Sequence, residues 1–439
     1  MFFIYWNALS LKIMAMGLIL SILILLAIIL LIAKSTFFKA DGIPTSIFIA
    51  AFTLKVLAMI FLWWIYTIYY SDVEKADIYK YFHDAVVMKE DFGTNHLLLL
   101  EALNPWNTPT AEFTEAIQNT MHWDQSTTFI QNDNRTMIRL NLILLYLSNG
   151  YFHFHALIFT FLSFLGSVAL LHFFRRITAV SPKLLFLSIF LIPSLLLWTS
   201  STLKESWLFF NLGFFLYFLD HFSQTKSTKH LFLTLLFALT LISIKAYIFI
   251  ALIPALFFIL FKNISKLSVK KSFLISHFIL FVAVLTFRGE KLLFLFQKRL
   301  IAFNENAIAQ NAGSYFKMPI YENWLDFFNL IPMGLYNVFI RPIFPSTLNF
   351  LSLLSCIESL FLILLPLLII RYYKKLQERQ LLISFALFSF VLCFAIIVGM
   401  TTNVLGAIVR YKVPLIPFYL VAILTFVKVK EVPFLKKLK

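Results

Sequence analysis

Eleven of the chain's 21 carboxylates fall between Ser71 and Arg135, the one long polar run in an otherwise apolar sequence. Within it, Ala76 to Met88 reads ADIYKYFHDAVVM, whose apolar positions recur at helical spacing. Asp77, Tyr81 and Asp84 then fall at i, i+4 and i+7 on one helix face. A carboxylate pair beside a phenol is a general-base constellation, suited to taking a proton from a hydroxyl. The same spacing also suits the solvated face of a surface helix, and the residues alone leave both readings open. Farther along, Asn104 to Pro109 reads as a turn, and Asn132, Asp133 and Asn134 offer an N-cap to the segment that follows.

The bases come from other places. Lys204 and Glu205 lie in WTSSTLKES, Trp198 to Ser206. Neighbours in sequence do not face each other on a helix, so an intrahelical ion pair explains them poorly, and a solvated turn and a functional site both stay open. Lys245 interrupts the apolar run 231–261, where a charge more often lines a water-filled cavity than lipid. Arg341 precedes Pro342, and Arg410 and Lys412 precede Pro414. Such cations suit a cleft that holds a phosphate or pyrophosphate at headgroup depth while a carboxylate receives a proton. A guanidinium binds two phosphate oxygens at once. The residues expected to bind substrate are therefore Tyr81, Lys204, Glu205, Lys245, Arg341, Arg410 and Lys412, with Asp77 and Asp84 expected to be catalytic.

Everything that positions these residues is apolar. Hydrophobic residues make up 61% of the chain and its mean hydropathy is +0.87. The runs approach the ~20 residues that cross a bilayer as a helix, and they lack the alternation of a transmembrane barrel. The fold class read from this is all-α, a polytopic integral membrane protein of about eleven transmembrane helices. Spans are expected near 13–33, 46–69, 155–174, 184–201, 207–222, 272–287, 348–370, 381–400 and 413–427, with two short ones either side of Lys245. Lys and Arg gather in the alternate loops that this count puts inside, about twenty of them, against four in the 71–135 loop. The N-terminus is then outside and the C-terminus in the cytoplasm. Residues 1–439 form a single transmembrane domain, with an extracytoplasmic acidic loop at 71–135 and a second, amphipathic outer segment at 288–345. In that segment, KLLFLFQKRLIAFNENAIAQNAGS reads as a surface helix stopped near Gly313, and residues 135–148 as a helix in the outer interface. Two charges fall inside apolar runs. Lys55 either snorkels to headgroups or faces a polar partner, and Glu358 is either protonated or paired with a buried base such as Lys55.

The net charge of +16 sits in short clusters beside the spans, which speaks for topology and against nucleic acid. Cys356 and Cys393 both lie in apolar runs, so neither a disulfide framework nor a thiolate metal site is indicated. No phosphate-binding glycine loop, dinucleotide fingerprint, nucleophile elbow or histidine-rich metal site is present; no cofactor and no metal are expected.

Three stretches carry a resemblance: ADIYKYFHDA in the acidic loop, PSLLLWTSSTLKES at a span end, and GAIVRYKVPLIPF near the C-terminus. Together they resemble bacterial polytopic glycosyltransferases of the GT-C type and the related O-antigen or exopolysaccharide polymerase-like proteins. In the GT-C type the acidic loop normally follows the first span, whereas here it follows the second. The resemblance implies residence in the bacterial cytoplasmic (inner) membrane and a polyprenyl-phosphate-linked sugar as substrate. It further implies Asp77 or Asp84 as base, with Lys204 and Arg410 at the lipid phosphate. Two other classes stand beside it, a flippase or transporter of lipid-linked glycans and a non-catalytic membrane partner in a surface-assembly complex.

Overall fold

The computed structural model describes residues 11–70, 76–104, 109–123, 133–287, 289–309, 312–344, 350–433 and 435–438. Asp72, Glu74, Asp124, Asn132, Arg288 and the centre of the turn at 104–109 lie outside the described residues.

Helix α1 (Leu11–Lys34) leads through a 3-10 turn, capped by Ser35, to α2 (Thr45–Trp64), which continues as one π turn, Ile65–Tyr69. The acidic loop folds into α3 (Asp77–Phe92), α4 (His96–Leu103), α5 (Ala111–Ala116) and α6 (Asp133–Ser148). Gly93 ends α3 at a positive φ of 51° that its missing Cβ tolerates. The side chains of Asn95 and Thr110 then cap α4 and α5. After α7 (Phe152–Ile177) come α8 (Pro182–Phe190) and α9 (Pro193–Trp198). The span expected at 184–201 is thus two short helices parted at Leu191 and Ile192, because Pro193 has no N–H and its ring crowds the preceding turn.

Helix α10 (Lys204–Thr225) precedes α11 (Thr228–Ile264), whose backbone leaves helical geometry at Lys245 (φ −149°, ψ 82°). Then follow α12 (Val269–Thr286), α13 (Gly289–Ala309), α14 (Trp324–Phe339), α15 (Phe350–Leu364), α16 (Leu367–Arg371), α17 (Glu378–Thr401), α18 (Leu405–Tyr411) and α19 (Ile416–Thr425). Among the described residues there is no strand, only three isolated bridges. Among the described residues, eight helices are long and apolar enough to cross a membrane, α15–α16 and α18–α19 each counting as one.

The chain forms two compact units, Met1–Phe173 with Leu196–Ala246, and Phe174–Leu195 with Tyr247–Lys439. In the first, α3 lies on α6, burying Ala85, Met88, Met137, Ile138 and Leu142. Helices α7 and α10 touch at Gly166 and Gly213, where a Cβ on Gly213 would overlap the Gly166 carbonyl. Close backbone approach of this kind supplies dispersion where lipid removes the hydrophobic drive between helices. The second unit repeats the device between Gly334 of α14 and Gly399 of α17. Its α13 packs Leu293 and Leu300 against Met318, Tyr321, Phe327 and Met400.

Candidate functional site

In the first unit the helix predicted from ADIYKYFHDA is α3, and its face is turned inward. Asp77 stands at the first helical position, part-exposed, accepting from Lys80 Nζ at 2.7 Å. Tyr81 is buried, and Lys204 Nζ lies 5.3 Å from its ring centroid. Asp84 is fully buried: Oδ1 accepts from the Met121 amide at 3.1 Å and Oδ2 from the His122 amide at 2.7 Å. Two amide donors to one carboxylate fasten residues 121–122 to α3. Burial pushes the His122 imidazole below its ordinary range, while the charge of Asp84 pulls the other way. Arg135 and Arg139 lie over the Trp123 ring at 5.2 and 5.0 Å, and burial beside Arg135 lowers Arg139 to about 10.

Neither Lys204 nor Glu205 is a solvated turn residue. Lys204 Nζ meets Asp133 Oδ2 at 2.7 Å, which ties α10 to the start of α6. Glu205 is 1% exposed, and its Oε1 accepts from Lys245 Nζ at 2.7 Å. Lys55, 3% exposed, donates to Thr199 Oγ1, so it faces a polar partner and does not snorkel. Residue reasoning missed a further buried set, in which His155 Nδ1 and Nε2 meet Asn141 Oδ1 at 2.8 Å and Ser148 Oγ at 2.7 Å. Its signal was available, since Asn141, Ser148 and His155 recur every seven residues through otherwise apolar sequence.

The second unit collects the other cations. Lys412 Nζ donates to Ser359 Oγ at 3.2 Å and to the carbonyls of Arg341 and Val338 at 3.4 and 3.5 Å. The Arg341 guanidinium lies over Phe316 at 4.2 Å and Tyr336 at 5.2 Å. Arg410 is buried one residue before the end of α18. Arg299 of α13, which the sequence did not single out, lies over Tyr247 at 4.6 Å, Phe303 at 5.8 Å and Tyr411 at 6.0 Å. Paired backbone contacts hold residues 314–316 beside 403–405, Phe316 N to Asn403 O and Leu405 N to Ser314 O, both 3.0 Å. Around the Arg410–Lys412 turn, the Arg299 guanidinium lies over the Tyr411 ring and the Arg341 backbone carbonyl accepts from Lys412.

Two guanidinium atoms in this set, Arg299 Nε and Arg341 Nη1, are buried without a hydrogen-bond acceptor. A ring face is worth ~0.5–2 kcal/mol to a cation, but a buried N–H lacking an acceptor costs ~1–3 kcal/mol. An anion's oxygens would recover that cost. Glu358 does not supply them: it accepts from the Ser194 amide at 2.8 Å and from Ser194 Oγ at 2.6 Å. Lys55 and Glu358 each have their own partner, in the first and second unit respectively.

Among the described residues, no three His, Cys, Asp or Glu side chains gather as metal ligands. Set against known protein families, curated proteins and solved structures, the chain matches none of them.

Proposed function

We propose that this chain transfers or polymerises sugars from a polyprenyl-phosphate- or polyprenyl-pyrophosphate-linked donor at the extracytoplasmic face of the bacterial inner membrane, in the synthesis of cell-surface polysaccharide or glycoconjugate. The observation that carries this reading is the second unit's basic set, in which two aromatic-backed guanidinium groups keep buried N–H donors without acceptors beside Arg410 and Lys412. Ring-backed guanidinium groups suit a phosphate at headgroup depth, because they are weakly hydrated and donate in pairs. Of the two aspartates expected to be catalytic, both on the first unit, Asp77 has a part-exposed carboxylate, whereas both oxygens of Asp84 are engaged by amides. In this reading the chain crosses the bilayer eleven times with its N-terminus outside. The count comprises the eight long apolar helices, α8–α9, α10, and a second passage of α11 beyond Lys245.

A second reading, a flippase for the same lipid-linked glycans, is favoured by the buried Glu205–Lys245 pair at a helix break, a feature of ion and substrate pathways in transporters. Purified protein given a polyprenyl-phosphate sugar and an acceptor separates the two. A transferase releases polyprenyl phosphate, and a flippase leaves the bond intact. Arg410→Lys keeps the charge but loses bidentate geometry, and is expected to abolish most turnover with insertion unchanged. Wild-type turnover in that variant removes Arg410 from the site.

A further inference from the structure

Lys55 lies ten residues into the span Thr45–Tyr69, which at ~1.5 Å per residue places it ~15 Å along a helix crossing a ~30 Å core. At this depth it is 3% exposed, and its ammonium has three donors. Only Thr199 Oγ1 receives one of them, and among the described residues no carboxylate pairs with it. Two other lysines of this unit differ in that respect, since the half-buried Lys204 has Asp133 and the buried Lys245 has Glu205. A lone charge so far from water is costly unless a counter-charge accompanies it.

The segment that meets Lys55 is polar and is itself buried. Thr199, Ser200, Ser201 and Thr202 are all fully buried in the connection between α9 and α10. It is fixed to α7 by Ser163 Oγ donating to the Thr199 carbonyl at 2.5 Å and by the Ser201 amide donating to Thr160 Oγ1 at 2.9 Å. Ser200 Oγ donates to the carbonyls of Leu196 at 2.7 Å and Lys55 at 3.4 Å. Ser201 holds a left-handed backbone (φ 67°), which a side-chain-bearing residue seldom adopts. Glycine would fit that conformation better, yet a serine stands there, and its hydroxyl has no hydrogen-bond partner. A strained backbone and an unused hydroxyl thus stand two residues beyond Thr199, whose own hydroxyl receives the Lys55 ammonium.

We infer that Lys55 and Ser201 together bind the phosphate group of a ligand, lipid-borne or free, at a second anion site inside the first unit. The ammonium supplies the charge, Thr199 orients it, and the Ser201 hydroxyl donates to a phosphate oxygen. The site stands on the first unit alone and does not depend on the sugar-transfer reading.

Binding of two probes, inorganic phosphate and farnesyl phosphate, to full-length protein in detergent tests it. Wild type is expected to bind one equivalent more than Lys55→Met, and Ser201→Ala to weaken that equivalent at least tenfold. Ser201→Gly guards against misfolding: it relieves the backbone, so it is expected to melt no lower than wild type and still to lose the equivalent. Saturation by farnesyl phosphate alone identifies a lipid headgroup, and saturation by inorganic phosphate identifies a free anion. Equal binding in wild type, Lys55→Met and Ser201→Gly, or no binding of either probe to wild type, overturns the inference. Sugar transfer is not measured, so its failure is a separate result.

Discussion

Glu205 and Lys245 meet at 2.7 Å, each less than a tenth exposed, and join the first turn of α10 to the break in α11. Lys245 leaves the helix in an extended conformation, which interrupts the local ladder of backbone bonds and turns its side chain to the carboxylate. An interruption at membrane depth persists where it is buried in protein, and here the ion pair accompanies it.

The pair's energetics follow from its burial. Removing one partner of a buried pair typically costs ~3–5 kcal/mol, because the other charge is left uncompensated, whereas replacing both by apolar residues is often neutral or better. Glu205→Leu and Lys245→Met are each expected to lower the melting temperature of the purified protein sharply. The double variant is expected to recover most of the loss. Additive losses in the double variant would show that the two charges are not coupled.

Helix contact at Gly213 gives a second test. A methyl there overlaps the Gly166 carbonyl, and α7 and α10 cannot both keep their axes. Gly213→Ala is expected to cost ~1–3 kcal/mol, the usual range for overpacking. Gly313→Ala, with no atom within 4 Å of the added carbon, is expected to change stability by less than ~0.5 kcal/mol. Equal melting of the two variants would refute the close approach.

The acid side of the stability curve should report His122. Burial holds this imidazole below its ordinary value of 6.5, with Asp84 and Asp77 opposing and Lys80 and His83 adding to the effect. The unfolded chain therefore binds the proton first as pH falls through 6.5, and stability declines from there toward the lower folded value. His122→Gln is expected to flatten that part of the curve and leave the alkaline side unchanged. An unaltered acid slope in this variant would assign the dependence to other groups.

Local chemistry was legible in the sequence, and pairing across the fold was not. The spacing of Asp77, Tyr81 and Asp84 did mark a helix, since periodicity is local, and Lys245 did mark an interruption, whereas the break before Pro193 fell inside a stretch read as one span. Partners are another matter. Asp84 meets an amide 38 residues on, Glu205 meets a lysine 40 residues on, and Lys55 meets a hydroxyl 144 residues on. No spacing rule reaches that far. Arg299 escaped notice because its neighbours, Lys291 and Lys298, make the stretch read as an ordinary basic surface helix, while the rings that cover it come from residues 247, 303 and 411.

The two aspartates of α3 should part company on substitution. Asp84→Asn places an amide N–H2 where an acceptor faced the Met121 or His122 amide, so one buried backbone donor loses its partner. The expected cost is ~1–3 kcal/mol, seen as a lower melting temperature and faster proteolysis of the 109–123 segment. Asp77 is part-exposed and pairs with Lys80 one turn on, and a surface pair of this kind contributes ~0–1 kcal/mol. Asp77→Asn is therefore expected to melt like wild type. If Asp77 takes the proton from the acceptor hydroxyl, the same variant should lose ~10²–10⁴-fold in turnover. Glu115→Gln, on the exposed α5, serves as the control and should be silent in both measurements. Wild-type turnover in Asp77→Asn would move the base out of α3, and wild-type melting in Asp84→Asn would show that the 121–122 amides do not depend on that carboxylate.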